Sequence, residues 1–159
     1  MKTKLKMVMM MGLPGAGKST YVKQRVDQNT VVVSRDAIRQ SLNGGVYLYD
    51  ENREDMVESI EYDMIYRAFE NGFNVLIDET NLTRKRRRSH FFAAKEFNAD
   101  VEIIHLTTSV DICIDRRAED LKADDYDGTR WAETIKNCAN SFEMIYFDEA
   151  KLYSKIEVF

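Results

Sequence analysis

A chain of 159 residues with a hydrophobic fraction of 44% has the length of one domain and enough apolar side chain for one sizeable core, so a single domain over residues 1–159 is expected. Its formal net charge of −4 argues against a protein that coats nucleic acid non-specifically, because such binding draws on lysine and arginine neutralising phosphates, though a local basic groove is compatible with it. No stretch reaches the roughly 18 uninterrupted apolar residues of a membrane span, and the leading "MKTKLKMVMMMG" has too short an apolar run for a signal peptide, so no membrane contact is expected. Cys113 and Cys138 lie far apart without metal-site spacing, which argues against zinc and fits a soluble, cytoplasmic protein with reduced thiols.

In chain order, residues 5–11 form an apolar run ending in glycines, which predicts a buried parallel strand, and "KSTYVKQRV" after it predicts a helix. "TVVVS" (30–34) predicts a second strand, and "RDAIRQSL" a short helix stopped at Asn43-Gly44-Gly45. From Asn52 to Phe69 the apolar residues Met56, Ile60, Met64, Ile65 and Ala68 recur at helical spacing, and Asn71-Gly72 closes the helix. "FNVLID" (73–78) is a third strand, "TRKRRRSHFFAAKEF" a helix and "VEIIHL" (101–106) a fourth strand. "SVDICIDRRAEDL" follows as a helix with Ser109 as N-cap, "TRWAETIKNCANSFEM" as a last long helix, and "KIEVF" as a short closing strand. Strands this apolar leave no face for water, so alternation with helices predicts an α/β fold of three layers, a parallel sheet with helices on both faces. Ligands of such sheets lie beyond the carboxyl ends of the strands, where residues 12–20, 34–39 and 78–81 converge.

The first of these segments, Gly12 to Ser19, satisfies G-x-x-x-x-G-K-[ST]. Glycines let backbone N–H groups of residues such as Gly15, Ala16 and Gly17 turn inward around a phosphate, and the helix beginning near Lys18 adds its positive end. Lys18 then reaches the terminal phosphates of a nucleoside triphosphate, Ser19 offers its hydroxyl to Mg²⁺, and Thr20 completes the segment. In the second segment Asp36 stands between Arg35 and Arg39; it either caps the helix that follows or accepts a proton from an attacking hydroxyl, and the two roles are compatible. The third, "VLIDETN", ends an apolar strand in acids: Asp78 could organise magnesium, Glu79 could orient Arg39 or the acceptor, and Thr80-Asn81 could fix the turn.

Charge is unevenly placed, with acidic residues 50–63, basic residues 84–88 and acidic residues 124–127. The basic run reads either as a solvated helix face or as an acceptor contact through Arg84 with Arg87 or Arg88. Arg116 and Arg117 are candidates for stabilising a moving phosphoryl group, or for pairing with Asp115, Glu119 and Asp120. His90 and His105 are read as helix-surface and strand residues, and Trp131, Phe91, Phe92, Phe97, Phe142 and Tyr146 as core. Tyr47 and Tyr49 fall in a surface loop from which they could stack on a base.

"GLPGAGKST", "SRDAIRQS" and "IDETNLTRKRR", in that order and spacing, resemble the kinase domain of phage-type 5′-hydroxyl polynucleotide kinases and the small P-loop kinases around it, over about residues 5–120 and more faintly to Phe147. The resemblance implies ATP and Mg²⁺ as cofactors, with Gly12, Gly15, Ala16, Gly17, Lys18, Ser19 and Thr20 at the nucleotide and Ser19 and Asp78 at the metal. Asp36 is then the general base, Arg39 contacts the acceptor phosphate, and Arg116 is a lid arginine beside Lys18; Arg35, Glu79, Asn81 and Arg84 are added as acceptor contacts from the reading of the residues themselves. The family's lid has two arginines four apart; here Asp120 stands at the second position, leaving Arg117 or Arg130 to substitute. A phosphatase domain often follows such kinases, and none is expected in a chain ending at Phe159. The acceptor expected first is the 5′-OH end of DNA or RNA; a nucleoside, sugar or antibiotic hydroxyl is the alternative, and a nucleotide-binding module without transfer is a third.

Overall fold

The computed structural model describes residues 4–120 and 128–159. Its centre is a five-stranded, all-parallel sheet in the order β2-β3-β1-β4-β5. The strands are β1 (Lys6–Met11), β2 (Thr30–Val33), β3 (Asn74–Ile77), β4 (Asp100–His105) and β5 (Lys155–Val158). Between them run α1 (Lys18–Arg25), α2 (Arg35–Leu42), α3 (Glu54–Glu70), α4 (Arg84–Glu96), α5 (Val110–Asp120), α6 (Gly128–Asn140) and the one-turn α7 (Phe147–Ala150).

The strand period of two sorts β1 between two cores. Met7, Met9 and Met11 pack with Ile65, Ala68 and Phe69 of α3 and Phe91, Ala93 and Ala94 of α4. Met10 and Val8 turn to the other face, against Val22 of α1. A third cluster of Ala16, Cys113 and Ile135 seats α5 and α6 against the glycine loop. The three-layer α/β expectation holds. Among the described residues, no helix is long and apolar enough to cross a membrane.

Several boundaries differ from expectation. α3 begins at Glu54, after a 3₁₀ turn at Glu51–Arg53 that Asp50 caps by accepting from Asn52 N (3.0 Å). α6 stops at Asn140 rather than near Met144, because the chain turns to the start of α4, where Glu143 N donates to Leu82 O (2.9 Å) and the Glu143 carboxylate caps Arg84 N. The acidic run 124–127 lies outside the described residues. Of the expected core aromatics Phe91 is buried, but Phe92 and Tyr146 are exposed, and Trp131 lines a cavity. His90 is not on a helix surface: it is fully buried.

Candidate active site

β1 delivers the chain into a loop anchored on both sides. Gly12 N donates to Thr80 O (3.0 Å), and Thr108 Oγ1 donates to Ala16 O (3.0 Å). Gly15, at φ +83°, lies so close to α5 that a Cβ would come within 2.6 Å of Cys113 O, so only glycine is accommodated. Gly17, in the left-handed conformation, starts α1. Lys18 is buried and its Nζ donates to Gly12 O (3.0 Å) and Leu13 O (2.8 Å). Burial lowers its pKa, opposed by the negative charges of Asp78 and Asp36 among others, which places both carboxylates within electrostatic reach of the lysine.

A cavity of about 1080 Å³ opens over this loop. Gly15 to Thr20, Asp36, Arg39, Asp78, Glu79 and Arg116 all line it, so three strand ends meet at one edge as the topology requires. Arg116 Nη1 reaches Gly15 O and Ala16 O, both at 3.4 Å. Arg117 lies over the Trp131 ring, 4.3 Å from its centroid, on the same cavity. Trp131 is the sole tryptophan of the chain, so ATP entering this cavity is expected to change the intrinsic fluorescence at 295 nm excitation, saturably; an unchanged spectrum at saturating ATP contradicts a nucleotide in contact with this wall. Ser19 and Asp78 present a hydroxyl and a carboxylate beside Lys18, a hard-oxygen donor pair that suits Mg²⁺.

At the end of β2, Ser34 rather than Asp36 caps α2, accepting from Ala37 N (3.4 Å). Asp36, with its side chain 61% exposed, is left facing the cavity and accepts from Arg39 Nη1 (2.7 Å). The other edge of the Arg39 guanidinium is held by Glu54, Nε to Oε1 at 2.9 Å and Nη2 to Oε2 at 2.7 Å. This fork keeps Arg39 charged and draws the Glu54 pKa down, the hydrogen bond outweighing burial.

Arg35 and Arg86 complete the wall, sharing three carboxylates. Arg35 Nε donates to Glu61 (2.9 Å) and its Nη2 lies 3.1 Å from Glu58. Arg86 reaches Glu58 (3.3 Å), Glu79 (3.2 Å) and Glu61. Glu79 Oε1 accepts from Arg35 N (3.1 Å). Burial, then the charge of Glu61, push the Glu79 carboxyl up to about 7 against the pull of Arg86 and Arg35, so of the two neighbours Glu61 stays ionised and Glu79 takes the proton. A carboxyl raised from its ordinary 4.5 binds more protons folded than unfolded, so its contribution falls as pH rises from 4.5 to about 7. Wild type is therefore expected to lose on the order of 1–3 kcal/mol relative to Glu79→Gln between pH 5 and 8, read from urea midpoints; parallel curves contradict the assignment.

Two residues expected at the acceptor stand elsewhere. Asn81 is buried and donates through Nδ2 to Met10 O (2.8 Å), serving the turn. Arg84, the first residue of α4, pairs with Asp148 of α7 and does not line the cavity, because Glu143 and α7 draw it outward. Sequence reasoning missed Glu54, Glu58, Glu61 and Arg86. The signal was present: residues 54, 58 and 61 are four and three apart, one face of a helix, and a basic run is available to meet them.

A family described as an AAA domain, AAA_33, matches residues 7–143. The chain belongs to that family. Among curated proteins it is similar to the L-seryl-tRNA(Sec) kinase of Methanococcus maripaludis, 28% identical over 119 residues, 71% of this chain and 45% of that protein. Among solved structures it is similar to a chain of the Pnkp1/Rnl/Hen1 complex, with 26% identity and a TM-score of 0.63 over 71% of this chain and 39% of that one. A sugar kinase from Janibacter sp. HTCC2649, at 21% identity and TM-score 0.61 over 98% of this chain and 84% of that one, shares the fold. The AAA_33 chain thus spans less than half the length of the curated relative and of the Pnkp1/Rnl/Hen1 chain.

Proposed function

We propose that this AAA_33 protein transfers the γ-phosphoryl group of ATP to a hydroxyl, with the 5′-OH end of a DNA or RNA strand as the first acceptor. One observation carries the reading: Asp36, tied to Arg39, opens onto the same cavity as Lys18 and Ser19. The acceptor oxygen bonds to the γ-phosphorus as the bond to the β–γ bridging oxygen breaks, ADP leaves, and the acceptor's proton passes to the Asp36 carboxylate. Lys18 and Arg116 offset charge on the phosphoryl oxygens, and Arg39 and Arg35 orient the acceptor. Ser19 and Asp78 would hold Mg²⁺, which would supply positive charge against the polyphosphate. Two of the similar proteins are named as kinases, one of L-seryl-tRNA(Sec) and one of a sugar, which supports a kinase.

A second reading rests on charge. Arg35, Arg39 and Arg86 are already paired with the carboxylates of Asp36, Glu54, Glu58 and Glu61 and with the carboxyl of Glu79, three cations against four carboxylates even with Glu79 protonated, so a polyanionic acceptor must displace a carboxylate where a neutral sugar or nucleoside need not. Label from γ-labelled ATP is expected on 5′-OH oligonucleotides, with acceptor binding that weakens as salt rises. Label on a sugar, nucleoside or antibiotic with flat salt dependence selects the second reading. Tight ATP binding with no acceptor labelled overturns both.

A further inference from the structure

Behind the acceptor wall runs a chain of polar side chains withdrawn from solvent. Glu61 and His90 are 0% exposed and Asn81 is 1% exposed. Asn81 Nδ2 donates to Met10 O (2.8 Å), two residues before Gly12, and its Oδ1 faces His90 Nδ1 at 3.1 Å. His90 Nε2 faces Glu61 Oε1 at 2.9 Å, and Glu61 Oε2 accepts from Arg35 Nε (2.9 Å) and from Arg86 Nη2. Five elements are joined in sequence: β1, the turn after β3, α4, α3 and α2.

Hydrogen-bond bookkeeping fixes the protons. Asn81 donates its amide nitrogen to a carbonyl, so its oxygen must accept, and His90 Nδ1 must be the donor. His90 Nε2 meets an ionised carboxylate and must donate as well. Only the imidazolium donates at both nitrogens. Burial, with the charges of Arg86 and Arg35, draws the His90 pKa below its ordinary value although the hydrogen bond and charge of Glu61 raise it; the acceptors at both ring nitrogens nevertheless assign the imidazolium, against that net shift. With His90 protonated, three positive groups, Arg35, Arg86 and His90, face the carboxylates of Glu58 and Glu61 and the carboxyl of Glu79, whose pKa is raised to about 7.

A buried ion cluster is a weak source of stability, because desolvation offsets most of its attraction, whereas it does define side-chain geometry. Among the described residues, Glu61 is the one acid that touches both arginines and the histidine without touching the cavity. We propose that Glu61, backed by His90 and Asn81, is a positioning residue: it aims Arg35 and Arg86 at the acceptor and holds that aim in register with the strand that carries the phosphate loop. The kinetic part of this inference rests on the phosphotransferase reading; the placement of protons and guanidinium groups does not.

Glu61→Gln separates the possibilities. Its amide nitrogen can donate to a neutral His90 Nε2 while its oxygen accepts from the arginines, so the packing survives and only the charge is lost. The acceptor KM is expected to rise about 10-fold or more, with kcat and the KM for ATP within about 2-fold, because the nucleotide half of the site is untouched. In ¹⁵N NMR the wild-type His90 ring is expected to show two protonated nitrogens, becoming one in Glu61→Gln, and the Arg35 and Arg86 Nε–H signals are expected to shift. Glu61→Leu, which leaves both guanidinium groups without this partner, is expected to raise the acceptor KM further and to lower Tm. A fall in Tm with unchanged acceptor KM in both variants overturns the proposal, as does a neutral His90 ring in the wild type. If the wild type labels no acceptor at all, the transfer reading fails separately; unshifted arginine Nε–H signals in Glu61→Gln then overturn the positioning role, and shifted ones support it.

Discussion

Asp36→Asn is expected to slow phosphoryl transfer by about 10²- to 10⁴-fold, the range for removing a general base, with ATP affinity unchanged. Asparagine is nearly the same size and keeps an oxygen for Arg39 Nη1, so the Arg39–Glu54 fork survives and only proton acceptance is lost. Single-turnover transfer at saturating ATP and acceptor reads the step directly, since KM effects are then removed. A rate within about 3-fold of wild type sinks Asp36 as the base, because a positioned base contributes at least about 100-fold. Glu79 is then the alternative: it lines the same cavity and its carboxyl titrates at about 7. The pair of variants decides between them, because the base alone gives the large loss and the other residue, bound to Arg35 N or to Arg39, gives a smaller one through geometry.

The strands and the glycine loop were legible because their causes are local. An apolar run of four methionines and a valine is enough for β1, and the positive φ values of Gly15 and Gly17 are demands that only glycine meets cheaply. Residues 34–39 were legible as a site but not in detail. Nothing local distinguishes Ser34 from Asp36 as the cap, and the choice follows from where α2 starts relative to β2. The acidic and basic runs stood in the sequence as separate charge blocks, yet they answer one another: Glu58 and Glu61 from the first meet Arg86 from the second. The contact depends on α3 and α4 packing on one face of the sheet, a tertiary fact that no window of sequence contains. His90 was misplaced for the same reason, since its partners Asn81 and Glu61 lie on a turn and on another helix.

The largest stability effect is expected at Arg87, the residue after Arg86 on α4. Arg87 is fully buried, and its guanidinium donates to both oxygens of Glu149, at 2.7 and 2.9 Å, and to the carbonyls of Leu82 (2.9 Å) and Asn81 (3.2 Å). Glu149 also accepts from Tyr153 Oη (2.7 Å), so α7 is pinned to the turn that follows β3. Arg87→Met removes the cation and leaves a buried carboxylate with one neutral donor, which costs about 3–5 kcal/mol. In a chain this size that is a fall in Tm of roughly 10 °C or more. The double variant Arg87→Met with Glu149→Leu removes both charges and is expected to recover much of the loss, because paired burial of opposite charge is often nearly neutral against apolar replacement. Acid acts on the same pair. Burial alone would raise the Glu149 pKa, but the Arg87 and Tyr153 hydrogen bonds hold it below its ordinary 4.5. The pair's contribution is thus complete above pH 4.5 and is lost as pH falls through the lower folded value, so wild type should lose stability more steeply below pH 4.5 than the double variant. Urea midpoints at pH 7 and pH 3.5 check both claims; a single variant within about 1 kcal/mol of wild type would show that this buried pair is not what fastens α7 to the site.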